Sequence, residues 1–562
     1  MLNTIKKIFS KNQKFRGTLT VQNEENFNAT MTICNAELQI TDIISPTTIP
    51  FNSITDLELK DRLLSFICNS EKFVFESDDS SVIYERIKSY TSEKSIFGCK
   101  KLEYFIYNTD ERSFNLYEKP VTLKIIYDNK YYLRIEDPSA VIHLEEIKTS
   151  TQYYMDQQNN SFVWSVFTDS LFHTFCIKFA DKIEFLEFLT KYVESSYKSV
   201  NSDQEEHKFF ENMVKFNMNP QEPVITSEND ADTDEYDWRE YDEPDKSKAA
   251  DDAANEHLIV GKEKVFVTRG SSLGIFNATA DDVVFQSSIQ NAFKDPSKII
   301  THNQDQNLLV LDDNERDKLQ LMDLNRGEVI EKWDIDNEMN DYFDSFKFSN
   351  DSTLIGLSDY SLFRIDPRLK EKIAEKNEYK TKNEFSCGVT TESGDVAVAS
   401  KKGDLRLYNK INIRAKSLLP GFGDEIIGID TCKDGSVILC TCKNYILVYL
   451  ATSDYSKRLG KDKPTPKRLQ LKPQHLSLIN EEVSFTPAKF DRDDRLIITS
   501  TGRFVVKWKV EDVLAGCVYN YSLKALYDTI VDEKFTFNGN DIVVALPNDV
   551  KKVTEADLRQ PK

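Results

Sequence analysis

The chain has 562 residues, too many for one domain, and a usual domain size of about 100 to 200 residues predicts roughly three to five folded units. Apolar residues make up 40% of the chain and aromatic residues 11%, a composition typical of a strand-rich folded protein rather than a disordered one. The formal net charge of −21 argues against a general nucleic-acid binder, whose phosphate contacts need a basic surface.

The nine cysteines form no framework of regular spacings, and neither a CxxC pair nor a Cys/His zinc spacing occurs. Free cysteine is among the most often buried residue types, so we expect reduced thiols in the core. Scattered reduced thiols fit a cytoplasmic protein. The sequence therefore predicts no metal site, and it contains no cofactor motif.

Residues 1–28 are predicted to be an N-terminal segment outside the first domain. Five Lys and Arg and no acidic residue occur in the first sixteen positions, with apolar residues at near-helical spacing. An ordinary basic terminus and a weakly membrane-associated helix both fit this pattern. We expect neither a signal peptide nor a transmembrane segment, because no apolar run approaches about 18 residues.

Residues 29–98 are predicted to be a first pleckstrin-homology-like domain. Short strand-like runs are followed by SSVIYERIKSY, in which Val82, Ile83, Ile87 and Tyr90 share one helical face. This order, in which several strands are followed by one amphipathic helix, is the element order of a pleckstrin-homology barrel. The strand-like runs are TMTIC, ELQITDII, ITDLELK, LLSFIC and KFVFES.

Residues 99–200 repeat this order and predict a second domain of the same kind. Seven strand-like runs precede a helix that begins after Asp181, a good N-cap residue, and carries the apolar stripe Phe185, Leu189, Tyr192 and Val193. The run FCIKFADKIEFLEFLTKY resembles the last strand and helix of Ran-binding and related pleckstrin-homology domains. The resemblance implies binding of a small GTPase as one alternative function.

Pleckstrin-homology folds often bind phosphoinositides through clustered cations on their first strands. The first domain has no Lys or Arg between Gly17 and Lys60. The second offers Lys124, Lys130 and Arg134, which fit either a lipid-phosphate site or a solvated strand face.

Residues 201–256 are predicted to be an acidic linker. From residue 221 to 256 fourteen Asp and Glu stand against three Lys and Arg, which is too charged a composition to bury a core. Trp238 is the largest apolar side chain in this stretch, and it is a candidate for docking on a neighbouring domain.

Residues 257–550 are predicted to be a WD-like β-propeller, followed by a tail of residues 551–562. An alternating apolar strand recurs six times, with successive gaps of 46, 43, 43, 41 and 59 residues, and most of these gaps are close to the length of a WD-type blade. Dividing the region by this period predicts seven blades, with the last closed by pairing of N-terminal and C-terminal strands. The residues at the fourth position of each repeat are Phe276, Met322, Ile365, Tyr408, Tyr449 and Trp508.

The glycines of LLPGFG, residues 418–423, fit this repeat better than a nucleotide-binding loop. A phosphate loop needs a strand, a glycine-rich turn and a helix, with GxGxxG or GxxxxGK[ST]. Gly421 and Gly423 belong to neither pattern, and a Lys-Asp-Gly hairpin signal follows at residues 433–435. They are therefore predicted to be turn glycines between two blades.

The longest gap contains a basic stretch, residues 457–472, with seven Lys and Arg and one Asp. It is either a solvated loop or an electrostatic contact with the acidic linker or an acidic partner, and Arg414 and Lys416 could share its rim. The candidate partner-binding residues are Arg414, Lys416, Lys457, Arg458, Lys461, Lys463, Lys467, Arg468, Lys472 and Trp238.

The chain resembles the fungal vacuolar import and degradation proteins of the Vid-twenty-seven type and their plant relatives, the defective-embryo-and-meristems proteins. The resemblance is carried by DVAVASKKGDLRLYN (395–409), RAKSLLPGFGDEIIGI (414–429), KPTPKRLQLKP (463–473) and STGRFVVKWKVEDVLAG (500–516). It implies pleckstrin-homology-like domains, an acidic linker and a C-terminal WD-like propeller, with no established catalytic site.

Three classes of function follow. The first is a non-enzymatic cytoplasmic scaffold or adaptor that binds protein partners, such as trafficking or degradation factors, through its propeller and pleckstrin-homology-like domains. The second is a regulator that binds a Ran-type small GTPase through residues 101–200. The third, a propeller hydrolase, would need carboxylates or histidines that converge at the channel mouth, and no HExxH, GxSxG or kinase signature is present.

Overall fold

The computed structural model describes most of the chain, in two compact units that consist of residues 1–99 with 122–146 and residues 100–121 with 147–562. The described residues are 13–21, 27–34, 37–41, 47–50, 54–68, 71–91, 94–200, 239, 241, 253–279, 282–349, 352–459, 464–479, 481–537, 539 and 541–561. None of the helices in these ranges is both long enough and apolar enough to span a bilayer.

The first unit begins with one antiparallel seven-stranded sheet in the order β4-β3-β2-β1-β7-β6-β5. Helix α1 (Ser80–Thr91) follows the sheet, and its Ile83 and Ile87 are fully buried in the core of this unit, as predicted. The strands are β1 (Gln13–Val21), β2 (Phe27–Cys34), β3 (Glu37–Thr41), β4 (Thr47–Pro50), β5 (Thr55–Lys60), β6 (Leu63–Cys68) and β7 (Glu71–Glu76).

The predicted boundary at residue 29 is wrong, because β1 lies at the centre of this sheet. It pairs with β2 on one side and β7 on the other. Its Phe15 and Leu19 are buried, but Lys14 and Arg16 interrupt the apolar pattern and made the segment resemble a basic terminus. The order of strands and helix is the predicted one, and the pleckstrin-homology assignment of this first domain stays a prediction.

The next segment, residues 94–200, contributes strands to both units. The first unit holds a four-stranded sheet in the order β13-β12-β11-β8, and the second holds a five-stranded sheet in the order β10-β9-β16-β15-β14. The strands are β8 (Lys94–Cys99), β9 (Leu102–Asn108), β10 (Ser113–Leu116), β11 (Thr122–Asp128), β12 (Lys130–Glu136), β13 (Val141–Glu146), β14 (Gln152–Asp156), β15 (Ser161–Thr168) and β16 (Leu171–Phe179).

Helix α2 (Lys182–Lys198) confirms the prediction made from its cap and its apolar stripe. The Asp181 side chain accepts a hydrogen bond from the Ile183 N–H at 2.8 Å, which satisfies one of the free amides of the first turn. Phe185, Leu189 and Tyr192 are each at most 2% exposed. The capping residue and the apolar stripe thus predicted both the start and the buried face of this helix from the sequence.

The strands after residue 253 form consecutive antiparallel sheets, as a propeller requires. Among the described residues there are six four-stranded sheets and a last sheet of three strands. The first three sheets consist of β17 (Asn255–Val260), β18 (Lys264–Arg269), β19 (Ser272–Ala278) and β20 (Val283–Ile289); β21 (Pro296–His302), β22 (Asn307–Asp312), β23 (Lys318–Asp323) and β24 (Glu328–Asp334); and β25 (Asp341–Asp344), β26 (Leu354–Leu357), β27 (Ser361–Ile365) and β28 (Ile373–Glu378).

Two short helices interrupt the later sheets, α3 (Pro473–Ile479) and α4 (Val510–Ala515). The remaining sheets consist of β29 (Phe385–Thr390), β30 (Val396–Ser400), β31 (Leu405–Tyr408) and β32 (Ser417–Leu419); β33 (Gly428–Thr431), β34 (Val437–Thr441), β35 (Ile446–Leu450) and β36 (Lys467–Leu469); β37 (Lys489–Phe490), β38 (Leu496–Thr501), β39 (Phe504–Lys509) and β40 (Tyr521–Ala525); and β41 (Asp532–Phe535), β42 (Ile542–Leu546) and β43 (Asp549–Val553).

The six repeated motifs of the sequence occupy the same place in each four-stranded sheet. They are the third strands, β19, β23, β27, β31, β35 and β39. Apolar clusters fill the spaces between consecutive sheets, because both faces of the central strands are buried. The repeat read from the sequence is therefore structural, whereas the number of seven blades stays a prediction.

Among the described residues, the ring closes without the strand exchange that was predicted. β17 pairs with β18 inside the first sheet, and the described strands of the last sheet are β41, β42 and β43. Asn255 joins the two ends instead. Its N–H donates to Pro547 O at 2.9 Å, and its side-chain amide donates to Leu546 O at 2.7 Å and Asp549 O at 3.2 Å.

Candidate functional site

The basic stretch of residues 457–472 divides into a buried half and an exposed half. Lys467 and Arg468 lie on β36 and are each 4% exposed, so the prediction that these two cations form a partner surface is wrong. Lys467 Nζ donates to Val513 O at 2.8 Å and to Leu514 O at 2.5 Å, at the C-terminal end of α4. A cation is stabilised there because the last carbonyls of a helix have no partner within the helix.

Arg468 joins β36 to the five-stranded sheet. Its guanidinium donates to Thr151 O at 3.1 Å, and its carbon atom Cζ lies 4.2 Å from the ring centroid of Tyr445 and 5.0 Å from that of Tyr153. A planar guanidinium can stack on aromatic faces while it donates in its own plane. We call the contacts between β14–β16 and residues 467–479 the domain seam.

The hydroxyl groups of the domain seam form a buried cluster around Pro473. Thr174 Oγ1 lies 2.6 Å from Ser165 Oγ and 2.6 Å from Ser477 Oγ, and it donates to Pro473 O at 3.0 Å. Phe172 packs with Leu476 in the same region. A buried carbonyl at the start of α3 is thereby satisfied from the neighbouring sheet, which fixes the two elements relative to each other.

Amide and tyrosine contacts extend the seam along β14. Gln152 Nε2 donates to Asn444 O at 2.6 Å, and Tyr519 Oη donates to Tyr153 O at 2.8 Å. Lys472, another predicted partner residue, lies at the same seam with its ammonium 5.7 Å from the ring centroid of Tyr154. The motif KPTPKRLQLKP, which carries part of the family resemblance, is therefore mainly a docking segment within the chain.

Four of the other predicted cations meet on one face of the propeller. Arg414 and Lys416 lie between β31 and β32, and Lys457 and Arg458 lie between β35 and β36. Connections between third and fourth strands emerge at the same end of successive antiparallel sheets. The Leu459 N–H donates to Ser417 Oγ at 3.0 Å, which brings the two loops together.

Lys410 is exposed on the first of these loops and was not among the predicted residues. Its signal was present in the sequence, because residues 409–416 contain three cations and no acid. We call Lys410, Arg414, Lys416, Lys457 and Arg458 the basic face. In the part of the chain that the structure describes, Lys457 pairs with Asp454 at 3.4 Å, and the other four have no carboxylate within ion-pair distance.

Three of the predicted partner residues, Lys461, Lys463 and Trp238, lie outside the described residues. Tyr241, also in the acidic segment, contacts the propeller, with Cζ of Arg503 lying 5.0 Å from its ring centroid. Arg503 lies between β38 and β39, on the end of the sheets opposite to the basic face. At Tyr241, therefore, the acidic segment contacts the face of the propeller that is opposite to the basic face.

The three cations proposed for lipid binding in the middle domain are each paired with a carboxylate. Lys124 pairs with Glu136 at 2.8 Å, Arg134 also pairs with Glu136, and Lys130 pairs with Glu146 at 2.9 Å. The hydrogen bond from Lys124 lowers the pKa of Glu136, so the charge that opposes these cations persists at neutral pH. This arrangement favours the solvated strand face over a phosphoinositide site.

In the described ranges, the cysteines are mostly buried, and the residue types that bind metals do not cluster. Seven of the eight cysteines whose side chains the structure describes are buried, and burial raises the pKa of the partly buried Cys387 to about 12, so its thiol is protonated. Across the same ranges, no three His, Cys, Asp or Glu side chains are placed to hold a metal ion.

Comparisons with known proteins agree with this architecture. Residues 95–199 match the model of the VID27 PH-like domain, and residues 253–562 match that of the VID27 C-terminal WD40-like domain. The chain is 37% identical over 362 residues to the vacuolar import and degradation protein 27 of Schizosaccharomyces pombe, and 31% identical over 361 residues to the protein of that name from Saccharomyces cerevisiae.

Each alignment covers 57% of this chain, but only 45% of the Schizosaccharomyces protein and 46% of the Saccharomyces protein. The chain thus spans less than half the length of these curated relatives. The match to the WD40-like model nevertheless extends over more than half of this chain and includes every sheet of the propeller. The chain therefore belongs to the VID27 family, with a PH-like domain followed by a C-terminal WD40-like domain.

Proposed function

We propose that this protein is a non-enzymatic cytoplasmic adaptor that binds an acidic segment of a protein partner through its basic face. The observation that carries the proposal is the basic face itself, which presents five cations, four of them without a paired carboxylate among the described residues, in a chain with a net charge of −21. Such a local reversal of charge attracts acidic partners over a distance of about 8 Å at physiological ionic strength.

The two folded parts support an adaptor rather than a single binding module. PH-like and WD40-like folds serve many unrelated functions and commonly offer surfaces to protein partners. The domain seam fixes β14–β16 against the propeller, so surfaces on these two elements are held at a constant spacing. The names of the relatives make vacuolar import and degradation the process in which we place this adaptor.

The proposal is tested by charge reversal on the full-length chain. Arg414→Glu/Arg458→Glu removes two cations from the basic face that have no ion-pair partner in the described part of the chain. Lys401→Glu/Lys443→Glu changes the same number of charges on the same two sheets but at their opposite ends, where β30–β31 and β34–β35 are connected. Both lysines of the control are exposed, so both variants should fold.

Partners retained from native cytosol by the wild-type chain are identified by mass spectrometry and compared between the two variants. We expect the basic-face variant to lose at least tenfold in the recovery of acidic partners, and the control to keep them. Equal recovery by both variants would refute the basic face as the binding surface. Nucleotide-dependent capture of a small GTPase by both variants would instead favour the alternative regulator function.

A further inference from the structure

An exposed aromatic side chain, Phe348, lies on the same side of the propeller as the basic face. It belongs to the connection between β25 and β26, the first and second strands of the third sheet, and such connections emerge at the same end as those between third and fourth strands. Its φ is +60°, a left-handed conformation that is rare for a bulky residue, and its side chain is 54% exposed. A strained backbone that presents an apolar ring to solvent indicates a binding surface.

Hydrogen bonds connect Phe348 to the basic face through the turn between β29 and β30. The neighbouring Lys347, whose ammonium lies 5.4 Å from the Phe348 ring centroid, donates from its backbone N–H to Thr391 O at 3.1 Å. At the other end of the turn, Asp395 Oδ2 accepts from the Tyr455 N–H at 3.2 Å. The residues that follow Tyr455 carry two cations of the basic face. The exposed ring and these cations therefore lie on one continuous surface.

The chain itself contains a segment that is complementary to this surface. Residues 228–240, ENDADTDEYDWRE, contain seven Asp and Glu and one Arg, together with Tyr236 and Trp238. Carboxylates pair with Lys and Arg, and aromatic rings pack on other aromatic rings and on cations. An acidic segment with aromatic residues among its carboxylates therefore suits five cations that border an exposed phenylalanine.

Contacts near the end of the acidic segment lie on the face opposite to the basic face. Tyr241, which follows residues 228–240 directly, has its ring centroid 5.0 Å from Arg503 Cζ, and the Asn255 N–H donates to Pro547 O at 2.9 Å on the same face. Residues 228–240 would have to pass around the outer strands to reach the basic face of their own chain. The basic face of a second copy can approach them directly, in a head-to-tail contact between two different surfaces.

We propose that the basic face and Phe348 of one copy bind residues 228–240 of a second copy, so that the chain associates with itself head to tail. The proposal rests on the basic face of the proposed function, and it names the acidic segment of this same chain as the occupant. Salt screens the attraction between exposed charges. The contact should therefore form at a physiological ionic strength of about 0.15 M and weaken at about 1 M.

Sedimentation velocity on the purified full-length chain, over a series of concentrations and at both ionic strengths, measures the self-association. We expect the wild type to form dimers and larger species as its concentration rises, and to dissociate in high salt. Arg414→Glu/Arg458→Glu should lower the association constant at least tenfold. Lys401→Glu/Lys443→Glu, the control with the same change of charge at the opposite ends of the same two sheets, should associate as the wild type does.

Mixing two variants tests whether the contact joins two copies. The second variant neutralises four acids of the segment, by Asp230→Asn, Asp232→Asn, Asp234→Asn and Asp237→Asn. We expect each variant to be monomeric alone and an equimolar mixture to form a dimer, because one chain supplies an intact basic face and the other an intact segment. The mixture should not grow beyond two chains. A segment that docked within its own chain would not give this result.

Phe348→Asn separates binding from folding. Asparagine adopts the left-handed conformation readily, so the variant should unfold at the same temperature as the wild type or at a higher one. Loss of the ring should nevertheless weaken self-association by about three- to tenfold, the range for one aromatic contact. A folded Phe348→Asn chain that associates as strongly as the wild type would refute this surface.

The proposal is overturned by a wild-type chain that stays monomeric at every concentration, or by a mixture of the two charge variants that stays monomeric. The proposed function is judged separately, by the acidic partners recovered from cytosol. A monomeric chain that captures such partners through its basic face would keep the proposed function and contradict self-association. A chain that associates with itself but loses no cytosolic partner on charge reversal would give the opposite result.

Discussion

The guanidinium of Arg468, on β36 of the WD40-like domain, lies 5.0 Å from the ring centroid of Tyr153, on β14 of the PH-like domain. The two residues belong to different sheets of one compact unit. A side chain that the sequence alone suggests for a solvent-exposed partner surface is thus one of the principal contacts of the domain seam.

Arg468→Lys should destabilise the chain although it keeps the charge. A lysine cannot stack between Tyr445 and Tyr153 while it donates to Thr151 O, so we expect a loss of about 1–3 kcal/mol in the free energy of unfolding. Urea denaturation measures this loss. Arg458→Lys, at an exposed position of the basic face, is the matched control and should change stability by less than about 0.5 kcal/mol. An equal effect of both substitutions would contradict the stacking.

Thr174→Val should weaken the seam by a different route. The substitution keeps the shape of the side chain but removes the hydroxyl that contacts Ser165, Ser477 and Pro473 O, and leaves those buried groups with fewer partners. We expect a destabilisation of about 1–3 kcal/mol. Thr168→Val, at the exposed end of β15, should be nearly neutral. Amide hydrogen exchange in α3 should accelerate in the first variant only.

Glu533→Gln should change how stability depends on pH. Burial raises the pKa of this carboxyl to about 8, so the folded chain keeps a proton that the unfolded chain releases near pH 4.5. The stability contributed by that proton is complete below pH 4.5 and is lost as the pH rises to about 8.

Gln cannot ionise, so the variant should lack this loss and should exceed the wild type in stability at pH 8 by more than at pH 5. Denaturation curves at the two pH values measure the difference. Glu256→Gln, at an exposed position, should follow the wild type at both. Parallel pH profiles for Glu533→Gln and the wild type would show that the carboxyl is already ionised in the folded chain.

Acidification should loosen the seam at His475. Its Nδ1 lies 2.6 Å from Tyr521 Oη, and that oxygen accepts a hydrogen bond from the Lys472 N–H, so the tyrosine proton points to a neutral imidazole. Burial, together with the nearby Lys472 ammonium, lowers the pKa of His475 to about 4. The unfolded chain takes up a proton below about pH 6.5, so stability is lost as the pH falls from that value toward 4.

We expect His475→Gln to be less stable than the wild type at pH 7 but to lose less stability between pH 7 and pH 4.5. Thermal unfolding at both pH values measures the two differences. A variant that loses as much stability on acidification as the wild type would assign the effect to other groups.

The repeat and the domain order could be predicted from the sequence because they follow from local alternation. Phe276, Met322 and the other repeat positions all fall on third strands, which lie between neighbouring sheets and are mainly apolar. The stripe of α2 was equally legible, because the spacing of Phe185 and Leu189 matches one helical face.

The seam could not be predicted in the same way, because it depends on contacts between residues far apart in the chain. Lys467 and Arg468 carry charges that a sequence analysis assigns to the surface, and only the carbonyls of α4 and the rings of Tyr153 and Tyr445 explain their burial. A signal was present, since Leu469 and Leu471 alternate with polar residues and are both fully buried. Similarly, the cations of β1 made a central strand of the first sheet resemble a basic N-terminal segment in the sequence.

The closure of the propeller through Asn255 has a consequence for how the chain can be reconnected. Each described sheet of the propeller draws its strands from one uninterrupted stretch of sequence, and three hydrogen bonds from a single asparagine link the first of these sheets to the last. A circular permutant that opens the chain between two neighbouring sheets would therefore leave each propeller sheet undivided. A ring with a shared strand does not have this freedom, because a cut there divides a sheet.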